Sequence, residues 1–184
     1  GPLYFIYKII TVIRACEELR QSYPDYNFVP VYWMASEDHD FEEISYFRYA
    51  GKKFQWKTQQ EGAVGHFDPK ELKSIIDEFP GIPAFFQEAY LKSTSLSESV
   101  RKYVNHLFGA HGLVVFDADN SRSKTLFKEV ILSDLFEHEP QKQVNQTTAE
   151  IEKLGYKTQV HPREINLFYL KGNIRARIER KGTD

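Results

Sequence analysis

Glu37, Asp38, His39 and Asp40 stand side by side, directly after an apolar run from Phe28 to Ala35 that stops at Ser36. Adjacent acids repel one another, so a run chosen only to end a strand would be shorter and less charged. Acids and an imidazole beyond the carboxyl end of a buried strand occupy the place where open α/β sheets take their ligands. Two chemistries suit them. Asp38, Asp40 and His39 offer oxygen and nitrogen ligands of the kind magnesium or manganese accepts, although neighbours in one stretch do not all converge, so at most two of the four share an ion. The spacing does not match His-Glu-x-x-His, which disfavours zinc. The other chemistry is proton transfer by His39, held between carboxylates, to or from an amine or hydroxyl. A structural reading competes with both. Ser36 as a helix N-cap, followed by acids that complement the helix dipole, accounts for Glu37, Asp38 and Asp40 but leaves His39 unexplained.

The pattern returns later in the chain. Leu113-Val114-Val115-Phe116 is a short apolar strand that ends in Asp117-Ala118-Asp119-Asn120. Asp117 and Asp119 carry the same two readings, against helix capping by Asp119 or Asn120. A third polar corner holds Gln159, His161, Arg163, Glu164 and Asn166. Arg163 there has the planar fork that grips a carboxylate or phosphate with two parallel hydrogen bonds. The competing reading is an Arg163–Glu164 surface pair of little energetic weight. No Gly-x-Gly-x-x-Gly or Gly-x-x-x-x-Gly-Lys-Ser/Thr loop is present, and no Gly-x-Ser-x-Gly elbow. Gly62-Ala63-Val64-Gly65-His66 reads as a turn.

The elements that must position these groups alternate. Tyr4 to Gln21 has apolar residues at Ile6, Ile9, Ile10, Ile13 and Cys16, a helical stripe, with Cys16 as one of its buried small groups. Phe28–Ala35 and Leu113–Phe116 are expected as strands of one buried sheet with both acidic ends on the same rim. Residues 44–57 read as a hairpin turning at Gly51, and Ile165–Leu170 with Ile174–Ile178 as another turning at Gly172-Asn173. Gln159–Glu164 reads as a strand. Helices are expected from Asp68-Pro69-Lys70-Glu71, with Asp68 as cap, Pro69 at N1 and Glu71 as capping-box acid, to Phe79, from the Ser95–Glu98 capping box to Phe108, from about Ser121, and over Pro140–Leu154. Alternating helices and strands give an α/β fold with a partly parallel sheet, hairpins and inserted helical segments.

A chain of 184 residues is one domain or a large part of one. A net charge of -2 supplies no basic surface for nucleic acid, and no apolar run is long enough to span a membrane. Cys16 is the single cysteine, which excludes an internal disulfide and fits a reducing, cytoplasmic compartment. Gly1-Pro2 has the look of a protease scar, and the strand pattern from Ile174 to Lys181 stops without a partner, so an internal piece of a longer protein is expected.

Three blocks carry a resemblance: residues 1–9, GPLYFIYKI; residues 30–44, PVYWMASEDHDFEEI; and residues 159–169, QVHPREINLFY. With Gly112–Asp119, GLVVFDAD, they resemble the bacillithiol biosynthesis cysteine-adding enzyme family, BshC, in its Bacteroidetes-type form. The resemblance implies a Rossmann-like core with connecting segments, and a helical coiled-coil region used in dimerisation. It implies ligation of cysteine to glucosamine-malate, forming the amide of bacillithiol, in a full-length homodimer. Members are much longer, so residues 1–184 are expected to be an internal part of the core, inactive alone. The matching positions include Glu37, Asp38, His39 and Asp40, and Arg163, Glu164 and Asn166; by their chemistry the first four are the expected catalytic residues, and the last three, with Asp117 and Asp119, the expected substrate contacts. Amide formation needs an activated carboxyl group, so ATP or another nucleotide, with magnesium, is a candidate cosubstrate. Two other readings stand beside this one. Asp38, Asp40 and Asp117 can serve a metal-dependent nucleotidyl- or phosphoryl-transfer enzyme. Tyr46–Trp56 can serve as the face of a noncatalytic assembly module.

Overall fold

The computed structural model describes residues 2–182, with side chains from Tyr4 onward; Gly1 of the Gly-Pro pair lies outside the described residues. The chain forms two compact units, Gly1–Asp119 and Asn120–Asp184.

The first unit runs α1 (Pro2–Ser22), β1 (Val31–Met34), α2 (Phe41–Ile44), β2 (Tyr46–Tyr49), β3 (Lys52–Gln55), α3 (Lys73–Glu78), α4 (Ala84–Leu91), α5 (Leu96–Phe108) and β4 (Val114–Asp117). Strands β1 and β4 pair in parallel, with Met34 opposite Asp117, so the two acidic ends do share one rim. Strand β1 is shorter than the apolar run, because Pro30 has no N–H for a ladder. Ile9, Ile13, Val104, Phe108 and Leu113 form a buried cluster, against which Tyr32 and Val115 pack. Helices α1 and α5 therefore cover one face of the pair. On the alternate positions Val31 and Val114 remain 46% and 47% exposed, so the sheet is not buried on both faces as the apolar run implied. Cys16 is buried, as its place on the α1 stripe predicts.

The hairpin β2–β3 turns through Ala50 and Gly51, whose φ values of 46° and 77° are the left-handed pair a two-residue turn requires. Phe54 and Trp56 are buried, so this segment spends its largest apolar groups on its own core rather than on a partner. The Trp56 indole N–H donates to Glu71 at 3.1 Å. Glu71 is thereby withdrawn from the capping box expected of it. The segment instead opens as a 3-10 turn over Pro69–Leu72, capped by Asp68, before α3 begins.

Helix α5 starts as its sequence demands. Ser95 Oγ accepts from the Glu98 N–H, and Glu98 accepts from the Thr94 N–H at 2.7 Å and the Thr94 hydroxyl at 2.8 Å. Lys102 adds an ion pair at 2.9 Å. The Thr94 amide, then the Lys102 and Thr94 side chains, hold the Glu98 carboxyl down at about 2. A carboxyl lowered on folding stabilises above its ordinary range and loses that contribution as pH falls toward the folded value. The excess thermal stability of wild type over Glu98→Gln is expected at pH 7 and should vanish as pH drops from about 4.5 to about 2. Melting curves at both ends check this, and a gap that persists at the acid end refutes it.

The second unit runs α6 (Ser121–Thr125), α7 (Lys128–Leu132), a π-helical turn over Ser133–Glu137, α8 (Glu139–Lys153), β5 (Phe168–Lys171) and β6 (Ile174–Arg177). Asn120 caps α6 by accepting from the N–H groups of Arg122 and Ser123. β5 and β6 form the expected antiparallel hairpin. The expected strand over 159–164 has no regular structure. It finds no partner ladder among the described residues, and Pro162 removes a donor.

Candidate functional site

Three distant segments meet at the rim of the β1–β4 pair. Ser36, 4% exposed, donates its hydroxyl to Asp117 Oδ1. The Asp119 N–H donates to the same oxygen at 3.1 Å, and to Ser36 Oγ at 3.3 Å. Ser36 is therefore not a helix cap. Helix α2 begins only at Phe41, and the Ser36 hydroxyl cross-links two strand ends. Asn120 takes the capping role at α6, which leaves Asp117 and Asp119 at the rim.

The third segment is the stretch that reads in the sequence as an ordinary turn. A 3-10 turn over Val64–His66 lies against the first segment: the Val64 N–H donates to Asp38 O at 2.7 Å, and the Gly65 N–H to Ser36 O at 2.9 Å. A Cβ on Gly65 would lie 2.5 Å from Ser36 O and 2.6 Å from Ser36 Cβ, so the approach needs glycine. Val64 and Phe67 anchor the turn in a buried cluster with Trp56. His66 is thereby carried to the rim, its Nε2 2.6 Å from Asp119 Oδ2. The Asp119 side chain is 13% exposed and the His66 side chain 65%. Sequence reasoning missed His66. The only signal was its position directly after Gly65 and before Phe67, which does not distinguish a functional turn from any other.

The four adjacent residues diverge. Glu37 and His39 are half-buried, Asp38 and Asp40 exposed. Asp38 Oδ1 accepts from the backbone N–H of His39 at 2.8 Å, and Asp40 makes no capping bond at the start of α2. The His39 imidazole pairs with none of its flanking carboxylates, so the expected orientation of His39 by its neighbours does not occur. Adjacent side chains in a bend point apart. Glu37 buries one carboxylate oxygen, Oε2, without a hydrogen-bond partner. Among the described residues, no three His, Cys, Asp or Glu side chains gather to hold a metal ion. Asp38, Asp40 and Asp117 therefore form no joint magnesium cage of the kind the phosphoryl-transfer reading needs.

In the second unit, a buried carboxylate that sequence reasoning also missed organises the polar corner. Asp134, 3% exposed, accepts from the Asn166 backbone N–H at 2.9 Å and from Asn166 Nδ2 at 3.1 Å. Asn166 in turn accepts from the Arg163 N–H at 3.2 Å and donates to Arg163 O at 3.1 Å. Its amide is committed to shaping the corner, so Asn166 positions Arg163 rather than reaching for a ligand. Glu164 does not pair with Arg163. Its carboxylate faces His138 Nε2 at 3.3 Å and Arg180 at 3.8 Å. The exposed Arg163 instead lines a cavity of about 180 Å³ with Arg177 and Arg180 among its neighbours. Glu164 and Glu179 line the same cavity, so three guanidinium groups stand against two carboxylates and the lining keeps a positive excess that suits a carboxylate ligand.

Residues 1–184 match the family described as bacillithiol biosynthesis BshC, N-terminal Rossmann-like domain. A protein of Cytophaga hutchinsonii named "Putative cysteine ligase BshC" is 45% identical over 182 residues, covering 99% of this chain and 35% of its own length. A protein of the same name from Flavobacterium psychrophilum is 43% identical over 188 residues, with 97% and 35% covered. A more distant one, from Chloroherpeton thalassium, is 31% identical over 200 residues, with 97% and 36% covered. The chain thus spans about a third of the length of these relatives. Among the described residues, no helix is long and apolar enough to cross a membrane.

Proposed function

Since this chain belongs to the bacillithiol biosynthesis BshC family, as its N-terminal Rossmann-like domain, we propose that it forms part of an enzyme that joins the carboxyl group of cysteine to the amine of glucosamine-malate. The observation that carries the reading is the match to proteins named as cysteine ligases along nearly the whole chain. The rim supports it chemically. The buried, unpartnered Glu37 Oε2 is an acceptor in want of a donor, and both substrates bring an amine or ammonium. His39, half-buried and without a side-chain partner, contacts the acceptor beside it. Asp38 and Asp40 add negative potential at the same place, and Asp117 shapes the rim through Ser36. Activation of the cysteine carboxyl by ATP or another nucleoside triphosphate is part of the proposal. The described residues supply neither a glycine-rich phosphate loop nor a three-residue metal site for it. The full-length enzyme acts in the cytoplasm as a homodimer.

Arg163 is assigned to the malate carboxylate of the acceptor. Lysine keeps the charge but loses the planar fork, so Arg163→Lys should weaken acceptor binding nearly as much as Arg163→Ala, by about 1.5–3 kcal/mol. Titration calorimetry of glucosamine-malate into full-length wild type and both variants tests this, and equal affinities across all three reject the clamp. For the reaction itself, the gene is deleted and bacillithiol measured alongside glucosamine-malate. Loss of the first with accumulation of the second is expected. Unchanged bacillithiol rejects the ligase.

A further inference from the structure

We infer that His66 is the proton acceptor for the attacking amine, with Asp119 as its positioning residue. The inference rests on the ligase reading above, adds His66 to it, and gives Asp119 a positioning role in place of a substrate contact.

Three observations separate this pair from an ordinary surface ion pair. First, the carboxylate is largely withdrawn from water while the imidazole is not: Asp119 is 13% exposed and His66 65%. A surface pair has both partners in solvent and holds neither in place. Here one partner is a fixed anchor and the other an accessible ring. Second, the anchor is braced. The Asp119 backbone N–H donates to Asp117 Oδ1 and to Ser36 Oγ, and Ser36 is buried. Third, the imidazole is brought in by a segment that has no freedom to drift. Val64 and Gly65 are hydrogen-bonded to the backbone of Asp38 and Ser36, and Gly65 is packed so closely on Ser36 that a methyl group would not fit. A histidine with one ring nitrogen on a carboxylate has its tautomer set and its other nitrogen available, which is the arrangement a general base requires. Nε2 is the nitrogen at Asp119, so Nδ1 is the atom that takes the proton. His39 lacks such an anchor, which is why the role falls to His66 instead.

In the step proposed, cysteine is presented as an acyl phosphate or acyl adenylate formed from a nucleoside triphosphate. The glucosamine nitrogen attacks the cysteinyl carbonyl carbon and a C–N bond forms. The C–O bond to the phosphate group breaks, and its electron pair leaves with that oxygen. One proton passes from the nitrogen to His66 Nδ1. The resulting imidazolium is stabilised by the Asp119 carboxylate.

The test uses the full-length enzyme with cysteine, glucosamine-malate and a nucleoside triphosphate. Because His66 is exposed, His66→Ala and His66→Gln should fold normally, as circular dichroism will report. Turnover in both should drop on the order of 10²–10⁴-fold with KM for glucosamine-malate within about threefold of wild type. Added imidazole should restore part of the His66→Ala rate, which a purely structural defect would not allow. Asp119→Asn should lower turnover too, and in the double variant the loss from Asp119→Asn should be much smaller than in the wild-type background, because its part in the proton transfer runs through the ring. His39→Gln should raise KM more than it lowers turnover. Normal turnover in the His66 variants, a loss confined to KM, or absence of imidazole rescue overturns the inference while leaving the ligase reading intact. A wild-type enzyme without ligase activity overturns both.

Discussion

Gly65→Ala is expected to destabilise the first unit by about 1–3 kcal/mol and to lower ligase turnover on the order of 10²-fold. The added Cβ would meet Ser36 O at 2.5 Å and Ser36 Cβ at 2.6 Å, distances that no rotamer change relieves, because a carbonyl and a Cβ move only with the backbone. Either the 3-10 turn retreats or the β1 exit does. In both cases the Gly65 N–H to Ser36 O bond stretches, and His66 leaves Asp119. Both tryptophans, Trp33 and Trp56, lie in the first unit, so the urea midpoint read by tryptophan fluorescence reports on it directly. A midpoint equal to that of wild type, with normal turnover in the full-length enzyme, would show that the close approach has no functional weight.

The second large effect belongs to the other unit. Asp134→Ala should cost about 1.5–3 kcal/mol, the range for a hydrogen bond to a charged group. Alanine leaves the Asn166 N–H and Nδ2 without their acceptor, and the corner from Arg163 to Asn166 loses its anchor. Asp134→Asn keeps the shape but turns a donor toward donors, so it should rescue only part of the loss. Amide hydrogen exchange at Asn166 is the direct readout: protection should fall strongly in Asp134→Ala and less in Asp134→Asn. Acceptor affinity in the full-length enzyme should fall in parallel, because Arg163 sits on the same corner. Undiminished protection at Asn166 would remove Asp134 from that role.

Elements with strong local signals are legible in the residues themselves. Ser95 and Glu98 act on N–H groups within four residues, so the α5 start is dictated locally. The left-handed turn at Ala50-Gly51 and the stripe through Ile9, Ile13 and Cys16 are equally short-range. The strand over 159–164 failed because a strand exists only with a partner, and periodicity says nothing about whether one arrives. Glu71 failed differently. Its spacing to Asp68 satisfies a capping box, but the buried indole of Trp56 competes for the same carboxylate and wins.

Two apolar runs, each ending in acids, were enough to place Asp117 and the residues after Ala35 on a common rim, because parallel strands in register bring their exits together. The family blocks likewise lie open in the chain, since identity in sequence needs no fold to be read. What became of each charged group there was a matter of long-range packing. Ser36 and Asp117 are 81 positions apart and meet through a hydroxyl. His66 reaches Asp119 because Gly65 lets one backbone rest on another. Asp134 and Asn166 close a corner across 32 positions. Side-chain partners at such separations depend on where whole elements pack, and that packing is settled by buried groups such as Val64, Phe67 and Trp56, not by the polar residues that it brings together.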